Sequence, residues 1–271
     1  MRLQGVGRRY GPRGRWVLRD VGLDVPPGAL LRIEGANGCG KSTLLRLVAG
    51  ADAPSRGRIT GRPRRVAYVP DRFPPALPLT ALGYLTRLGR IHGLGRRGAA
   101  AAADAWLARF AAEEHAGTPL RELSKGSCQK VAVAQAFLAG PELLVLDEAW
   151  TGLDGQARRV LDEAVAERVA AGARVVVVDH APARPAGAGA RVYRVEDGRL
   201  CDAPAAGRET LVRAVGPPGA VPPDGLPGAP RWRRDGGGYA LTVPAEHSDE
   251  LLRALLGAQP PWHIEALETR P

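Results

Sequence analysis

At 271 residues, 45% of them hydrophobic, the chain has room for one large domain, or one domain with a small appendage, around a sizeable core. Its net charge of +10 would suit nucleic acid or an anionic membrane, but lysine stands only at 41, 125 and 130, and the arginines lie scattered through Ala-, Gly- and Pro-rich sequence. The doublets Arg64-Arg65, Arg96-Arg97 and Arg233-Arg234 therefore read as solvated faces and no nucleic acid is expected, while Cys39, Cys128 and Cys201 lack metal or disulfide spacing and fit reduced thiols in the cytoplasm.

Taken in order, residues 2–6, 16–25 and 29–34 read as short strands, with Pro26-Pro27-Gly28 as a turn. Tyr10, in Arg9-Tyr10-Gly11-Pro12, is either an ordinary exposed loop aromatic or a ring placed to stack on a base. Next comes Gly35-Ala36-Asn37-Gly38-Cys39-Gly40-Lys41-Ser42-Thr43, between the apolar run Ala29–Ile33 and the helical pattern Leu44, Leu45, Leu47, Val48. Strand, glycine loop and helix in that order make a phosphate-binding loop. The glycines let successive backbone N–H groups turn inward around an anion, and the helix adds its positive end. Lys41 supplies charge for the β- and γ-phosphates of a nucleoside triphosphate, and Ser42 offers a hydroxyl to Mg²⁺.

Strands are expected at 58–60 and 66–69, then helices at 80–92, 99–113 and 127–139, the last ended by Gly140-Pro141. Leu143–Leu146 is a short apolar run, as a buried parallel strand requires, and it ends in Asp147-Glu148. A helix over 155–171 leads to a second buried strand, 174–178, ending in Asp179-His180. Residues 191–196 and 199–202 suggest a hairpin across Asp197-Gly198. Residues 203–230 read as a Pro/Gly-rich linker. Beyond it a small β-β-α-β appendage over 231–271 is expected, with Ser248 as helix N-cap and Gly257 as its stop. No signal peptide and no stretch of membrane-spanning length is read, so any work at a membrane needs a second chain to cross it.

The strand ends carry further chemistry. Asp147 stands where a phosphate-loop fold places the carboxylate that holds Mg²⁺, and Glu148 can orient or deprotonate an attacking water. His180 ends a strand at the edge where ligands gather in open α/β sheets, which suits contact with a γ-phosphate.

Together these pieces resemble the ATP-binding-cassette ATPases, the nucleotide-binding subunits of ABC transporters. Leu123-Ser124-Lys125-Gly126-Ser127-Cys128-Gln129 is similar to the family signature, which usually begins Leu-Ser-Gly-Gly-Gln, and Ala149–Asp154 continues the acidic pair as the family's D-loop does. The resemblance covers roughly residues 1–202. It implies an α/β, P-loop NTPase fold with a RecA-like core, an N-terminal antiparallel β-subdomain and a helical subdomain over about 72–140. It implies ATP and Mg²⁺ held head to tail between two subunits at the cytoplasmic face of the cell membrane, with a separate transmembrane permease as partner. Carried over by position, Tyr10 stacks the adenine; Gly35, Asn37, Gly38, Cys39, Gly40, Lys41, Ser42 and Thr43 form the phosphate loop. Ser42, Asp147 and Asp71 serve Mg²⁺, Glu148 activates water, His180 senses the γ-phosphate, and Ser124 and Gly126 close on the partner's ATP.

Three segments depart from the family pattern. Asp71 replaces a glutamine, Lys125 and Ser127 replace a signature glycine and glutamine, and Ala149-Trp150 replaces Pro-Thr, with Trp150 expected at the dimer seam. Lys125 either adds charge toward the partner's ATP or faces water. The substituted signature, Pro70-Asp71 and the appendage resemble ATPases of ABC-2-type exporters, so export is expected, with the permease docking on the surface from Asp71 to Tyr84. Cys39 and Cys128 are expected to approach one another across the dimer, close enough for a disulfide. Two other readings compete. One is a soluble ABC ATPase acting on nucleic acid or ribosomes, which usually carries two cassettes or a long coiled-coil insertion. The other is a P-loop kinase or GTPase, against which the signature and strand-end histidine speak.

Overall fold

The structure is a computed structural model that describes residues 1–71, 73, 77–179, 190–203, 209–217, 219–223 and 225–270. They fall into two compact units, the first reaching to residue 203 and the second beginning at residue 209.

In the first unit, β1 (Arg2–Arg9), β2 (Trp16–Asp24) and β4 (Arg56–Thr60) form an antiparallel sheet in the order β2-β1-β4. The second sheet has the order β5-β6-β7-β3-β8-β9. Its strands are β5 (Val66–Val69), β6 (Leu143–Asp147), β7 (Arg174–Val178), β3 (Leu30–Glu34), β8 (Arg191–Glu196) and β9 (Arg199–Ala203). All neighbours are parallel except β9, which pairs back on β8 as a hairpin.

Side-chain alternation along the central strands explains the layering. Leu143 and Val145 of β6 face one core with Val176 and Val178 of β7, whereas Leu144 and Leu146 face another with Val175 and Val177. Every residue of β6 is buried, which is why the run is apolar on both faces. On the first face lies α1 (Lys41–Ala49), whose Leu44, Leu45, Leu47 and Val48 also meet Leu3, Val6, Leu18 and Val21 of the antiparallel sheet. That helix is thus clamped between two sheets. Each of these fully buried side chains contributes roughly 1.5–3 kcal/mol.

The opposite face carries α5 (Gly155–Ala170) and the inserted helices α2 (Ala81–Ile91), α3 (Arg96–Arg109) and α4 (Lys125–Phe137). Trp106 stacks on Phe137 at 4.8 Å and on Phe110 at 6.0 Å, tying α3 to α4. Two predicted helices shift here. Helix α3 begins at Arg96, capped by Gly95, and stops at Arg109, just before Ala111 takes a φ of +49°. Helix α4 begins at Lys125, two residues before the predicted start, because Ser124 is its N-cap.

The second unit is a four-stranded antiparallel sheet, order β11-β12-β10-β13, with one helix. Its strands are β10 (Glu209–Val215), β11 (Arg231–Asp235), β12 (Gly238–Pro244) and β13 (His263–Arg270), and its helix is α6 (Ser248–Leu256). The expected division into linker 203–230 and appendage 231–271 therefore shifts, because β10 pairs with both β12 and β13. Residues read as linker also pack against this unit. Tyr239 donates to the Ala220 carbonyl at 3.0 Å, and Leu226 joins the core of Val212, Leu241, Leu251 and Trp262. Ser248 is not the cap expected of it: it lies inside the helix and its hydroxyl donates backwards to the Ala245 carbonyl at 2.7 Å. Gly257 does end the helix, with a φ of −83°.

Candidate active site

The phosphate loop bends where glycine is needed. Gly35, Gly38 and Gly40 have φ of +143°, +77° and +114°. A Cβ at Gly35 would stand 2.7 Å from the Val195 carbonyl oxygen, so the loop is pressed against β8 and admits no side chain there. Gly40 is the N-cap of α1 and offers no capping side chain, which leaves the first-turn N–H groups to the loop. The buried Lys41 donates from Nζ to the carbonyls of Gly35 at 2.8 Å and Ala36 at 2.9 Å, drawing its ammonium over the loop with one N–H to spare. Asn37 is exposed at the tip, and Cys39 is half-buried beneath it.

Asp147 ends β6 and is 1% exposed. Its Oδ2 accepts from the Tyr68 hydroxyl at 3.4 Å, whereas its Oδ1 is buried with no hydrogen-bond partner. The Ser42 hydroxyl lies within hydrogen-bonding reach of the same carboxylate. Burial pushes the Asp147 pKa up, reinforced by the charges of Asp71 and Glu148 and opposed by the Ser42 and Tyr68 hydroxyls. A buried carboxylate oxygen without a donor, beside a hydroxyl and a second carboxylate, is a donor set for a hard divalent cation. Asp71 itself is exposed. Burial, with Asp147 next to it, raises the Tyr68 phenol well above its usual range, so Tyr68 remains a donor.

Glu148 follows with a φ of +52°, its N–H held by the Val178 carbonyl at 2.9 Å and its own carbonyl held by the Thr151 N–H at 2.9 Å. A non-glycine residue in the left-handed region costs on the order of 1–3 kcal/mol. His180 lies outside the described residues.

Tyr10 and Thr43 meet through Arg46. Arg46 donates to the Tyr10 hydroxyl at 2.8 Å and to Thr43 Oγ1 at 3.2 Å. Partial burial raises the Tyr10 pKa, but the bonds from Thr43 and Arg46 outweigh it and hold the phenol below its usual value. The Arg8 guanidinium covers one face of the ring, 4.7 Å from its centroid, and the ring remains 48% exposed.

The signature is anchored to the loop after β6. Ser124 caps α4 by accepting from the Ser127 N–H at 3.1 Å. A Cβ at Gly126 would stand 3.2 Å from the Gly152 carbonyl, so that glycine permits close approach of the two segments. Buried Gln129 donates to the Ala149 carbonyl at 2.9 Å, and Lys130 pairs with Asp154 at 2.9 Å. Lys125 is exposed. Gln129 lies within the signature stretch, but its contact and that of Lys130 were not legible in the sequence, because helical spacing does not reveal which loop lies opposite. Tyr68 escaped the sequence reading, although it stands next but one before Pro70 at a strand end.

Two expectations are corrected. Trp150 is not at a seam: it is 5% exposed in its own subunit's core, with Nε1 donating to Asp162 at 2.8 Å. Cys128 turns inward, its Sγ 3.6 Å from the Leu120 carbonyl, and burial pushes its thiol pKa up. Both facts speak against a disulfide to another subunit's Cys39.

The family described as ABC transporter matches residues 18–151. The zinc import ATP-binding protein ZnuC of Halorhodospira halophila is 35% identical over 212 residues, spanning 76% of this chain and 78% of that protein. ZnuC of Cereibacter sphaeroides is 41% identical over 171 residues, 61% of this chain and 68% of the relative. A solved ATP-binding subunit of an ABC transporter superposes with a TM-score of 0.66 at 27% identity, over 74% of this chain and 89% of that one. A dimeric ATP-binding cassette in a post-hydrolysis state, bound to ADP and phosphate, shares the fold with a TM-score of 0.67 at 24% identity, over 76% of this chain and 99% of its own.

Proposed function

The chain belongs to the ABC transporter family as an ATP-hydrolysing, ATP-binding subunit, and from that premise we propose that it powers a separate membrane permease by closing head to tail on a second copy or a homologous ATPase. The buried, unpartnered Asp147 Oδ1 beside Ser42 carries this reading, because it supplies what nucleotide-bound Mg²⁺ would need next to the phosphate loop. Ser42 and Asp147, with the exposed Asp71, would hold Mg²⁺ there, and the ion would supply charge neutralisation at the phosphate oxygens. Lys41 and the α1 N–H groups hold the β- and γ-phosphates. Glu148 takes the proton of the attacking water, and His180 is assigned to the γ-phosphate. Tyr10 offers the ring face opposite Arg8 to the adenine. Ser124 and Gly126 approach the nucleotide bound by the other subunit.

No described helix is long and apolar enough to cross a membrane. A peripheral position at the cytoplasmic face, with the permease meeting the surface around Phe73 and Tyr84, is the arrangement we favour. There Tyr84 donates to Gln135 at 2.6 Å and stands edge-on to Phe73 at 5.3 Å. Export, expected from the signature and the C-terminal region, finds no support, because the relatives are zinc import ATPases. The direction proposed is inward.

The test is ATPase assay of wild type and Glu148→Gln, with co-purification of the tagged chain from membranes. Hydrolysis lost in the variant with ATP still bound, and recovery of a polytopic partner, support the proposal. Recovery of ribosomes or nucleic acid without a membrane partner overturns the transport part and leaves the ATPase standing.

A further inference from the structure

The 3-10 turn Glu113–His115, which follows α3, stands beside the start of α4 and sends one side chain into the signature. His115 Nε2 lies 2.9 Å from Ser127 Oγ, and Ser127 Oγ lies 2.9 Å from Ser124 Oγ. Ser124 Oγ also accepts the Ser127 backbone N–H at 3.1 Å. We propose that His115 is a positioning residue for ATP hydrolysis: acting through Ser127, it sets whether the Ser124 hydroxyl presents a proton or a lone pair to the nucleotide of the opposing subunit.

A serine hydroxyl has one proton and two lone pairs. When His115 donates from Nε2, Ser127 accepts there and passes its own proton to Ser124. Both Ser124 lone pairs are then filled, one by the Ser127 backbone N–H and one by the Ser127 hydroxyl. The Ser124 proton is left to point outward, where a phosphate oxygen can accept it. When Nε2 accepts instead, the order reverses. Ser127 donates to the imidazole, Ser124 spends its proton on Ser127, and a lone pair faces outward against an anion. A neutral imidazole can adopt either order, whereas an imidazolium permits only the first.

The side chain of His115 is 32% exposed, so it can exchange protons with solvent. Glu114 Oε1 lies 3.7 Å from Nε2 on the same turn. From α4, Ser127 faces the ring, while Lys130 is drawn off to the Ala111 carbonyl at 3.3 Å and to Asp154. On the neighbouring turn, Glu122 is paired with Arg121 at 3.1 Å. Acid protonates an imidazole, and an imidazolium allows only the first order, so engagement of the signature strengthens as pH falls.

This inference rests on the proposal that Ser124 meets the partner's nucleotide, and the experiment separates the two. ATP-driven dimerisation is measured by analytical ultracentrifugation from pH 5.5 to 8.5 in a Glu148→Gln background, which holds ATP uncleaved. The unaltered signature should dimerise roughly ten- to a hundredfold more tightly at the acid end, the scale of one hydrogen bond to a charged group. Ser127→Ala interrupts the chain and should flatten the profile at the tight level, since the Ser124 proton is then free at every pH. His115→Ala should flatten it as well, and His115→Arg, a permanent donor, should be flat and tight. Ser124→Ala should weaken dimerisation at every pH. If Ser124→Ala has no effect, the assignment of Ser124 to the partner's nucleotide fails. If it weakens the dimer while Ser127→Ala and His115→Ala keep the original profile, the assignment stands and the relay is wrong.

Discussion

At the scale of single residues, the site is built from two costs that the fold tolerates. Glu148 is held at a φ of +52°, and a Cβ there is strained whatever the side chain. Glu148→Ala and Glu148→Gly both remove the carboxylate, so both should lose hydrolysis. They differ in backbone: the glycine variant should be the more stable by about 1 kcal/mol in urea unfolding, and an equal or more stable alanine variant would deny the strain. Asp147 is the second cost, its pKa raised mainly by burial. Its folded pKa lies above its unfolded value, so the native chain holds the extra proton between the two. Stability from this group falls as pH rises through that window, and at neutral pH the ionised form is a burden. Asp147→Asn should therefore melt higher than wild type in the absence of nucleotide and Mg²⁺, by about 2–4 °C per kcal/mol relieved. The same variant should lose the further rise in Tm that Mg²⁺ gives wild type in the presence of ATP, which calorimetry can read. Lys41, Ser42 and Asp147 were legible in the sequence because the local chain sets their surroundings: a glycine loop, a helix start, a strand end. Trp150, Cys128 and His115 were not, since their partners, Asp162, the Leu120 carbonyl and Ser127, come from other turns of the fold.

At the scale of elements, the strands of the first unit were read well and helix ends less so. An apolar run such as β6 has few alternatives once both of its faces must be covered. A helix start depends on which hydroxyl takes the cap: Ser124 bonds the Ser127 N–H, but Ser248 spends its hydroxyl on Ala245 instead. The element contact of most consequence is α4 against the loop after β6, through Gln129 and the Ala149 carbonyl. Gln129→Leu keeps the volume and leaves that carbonyl buried without a donor, a cost of about 1–3 kcal/mol. The loop runs directly on from Glu148, so kcat should fall more than KM changes in steady-state assays. An unchanged kcat with lowered stability would reduce Gln129 to a packing residue.

At the scale of the whole molecule, each unit has its own hydrophobic cluster, which two-state unfolding does not require of one domain. Calorimetry should show two transitions, with ATP raising the one that belongs to residues 1–203. In the second unit Trp262 is 4% exposed against Tyr239, so Trp262→Ala should lower the other transition by about 3–5 kcal/mol and leave the ATP-responsive one in place. A single transition shifted as a whole would refute two separately melting cores. The sequence by itself determined the fold class, the nucleotide loop, the acidic strand end and the order of the motifs, because each is written in a few adjacent residues whose backbone needs are local. Only the tertiary structure decided that residues 209–215 are a sheet strand and not linker, that Trp150 belongs to the core, and that Asp147 keeps an oxygen without a donor. Those outcomes depend on which distant surfaces compete for the same side chain, and burial settles that competition only when the chain has closed on itself.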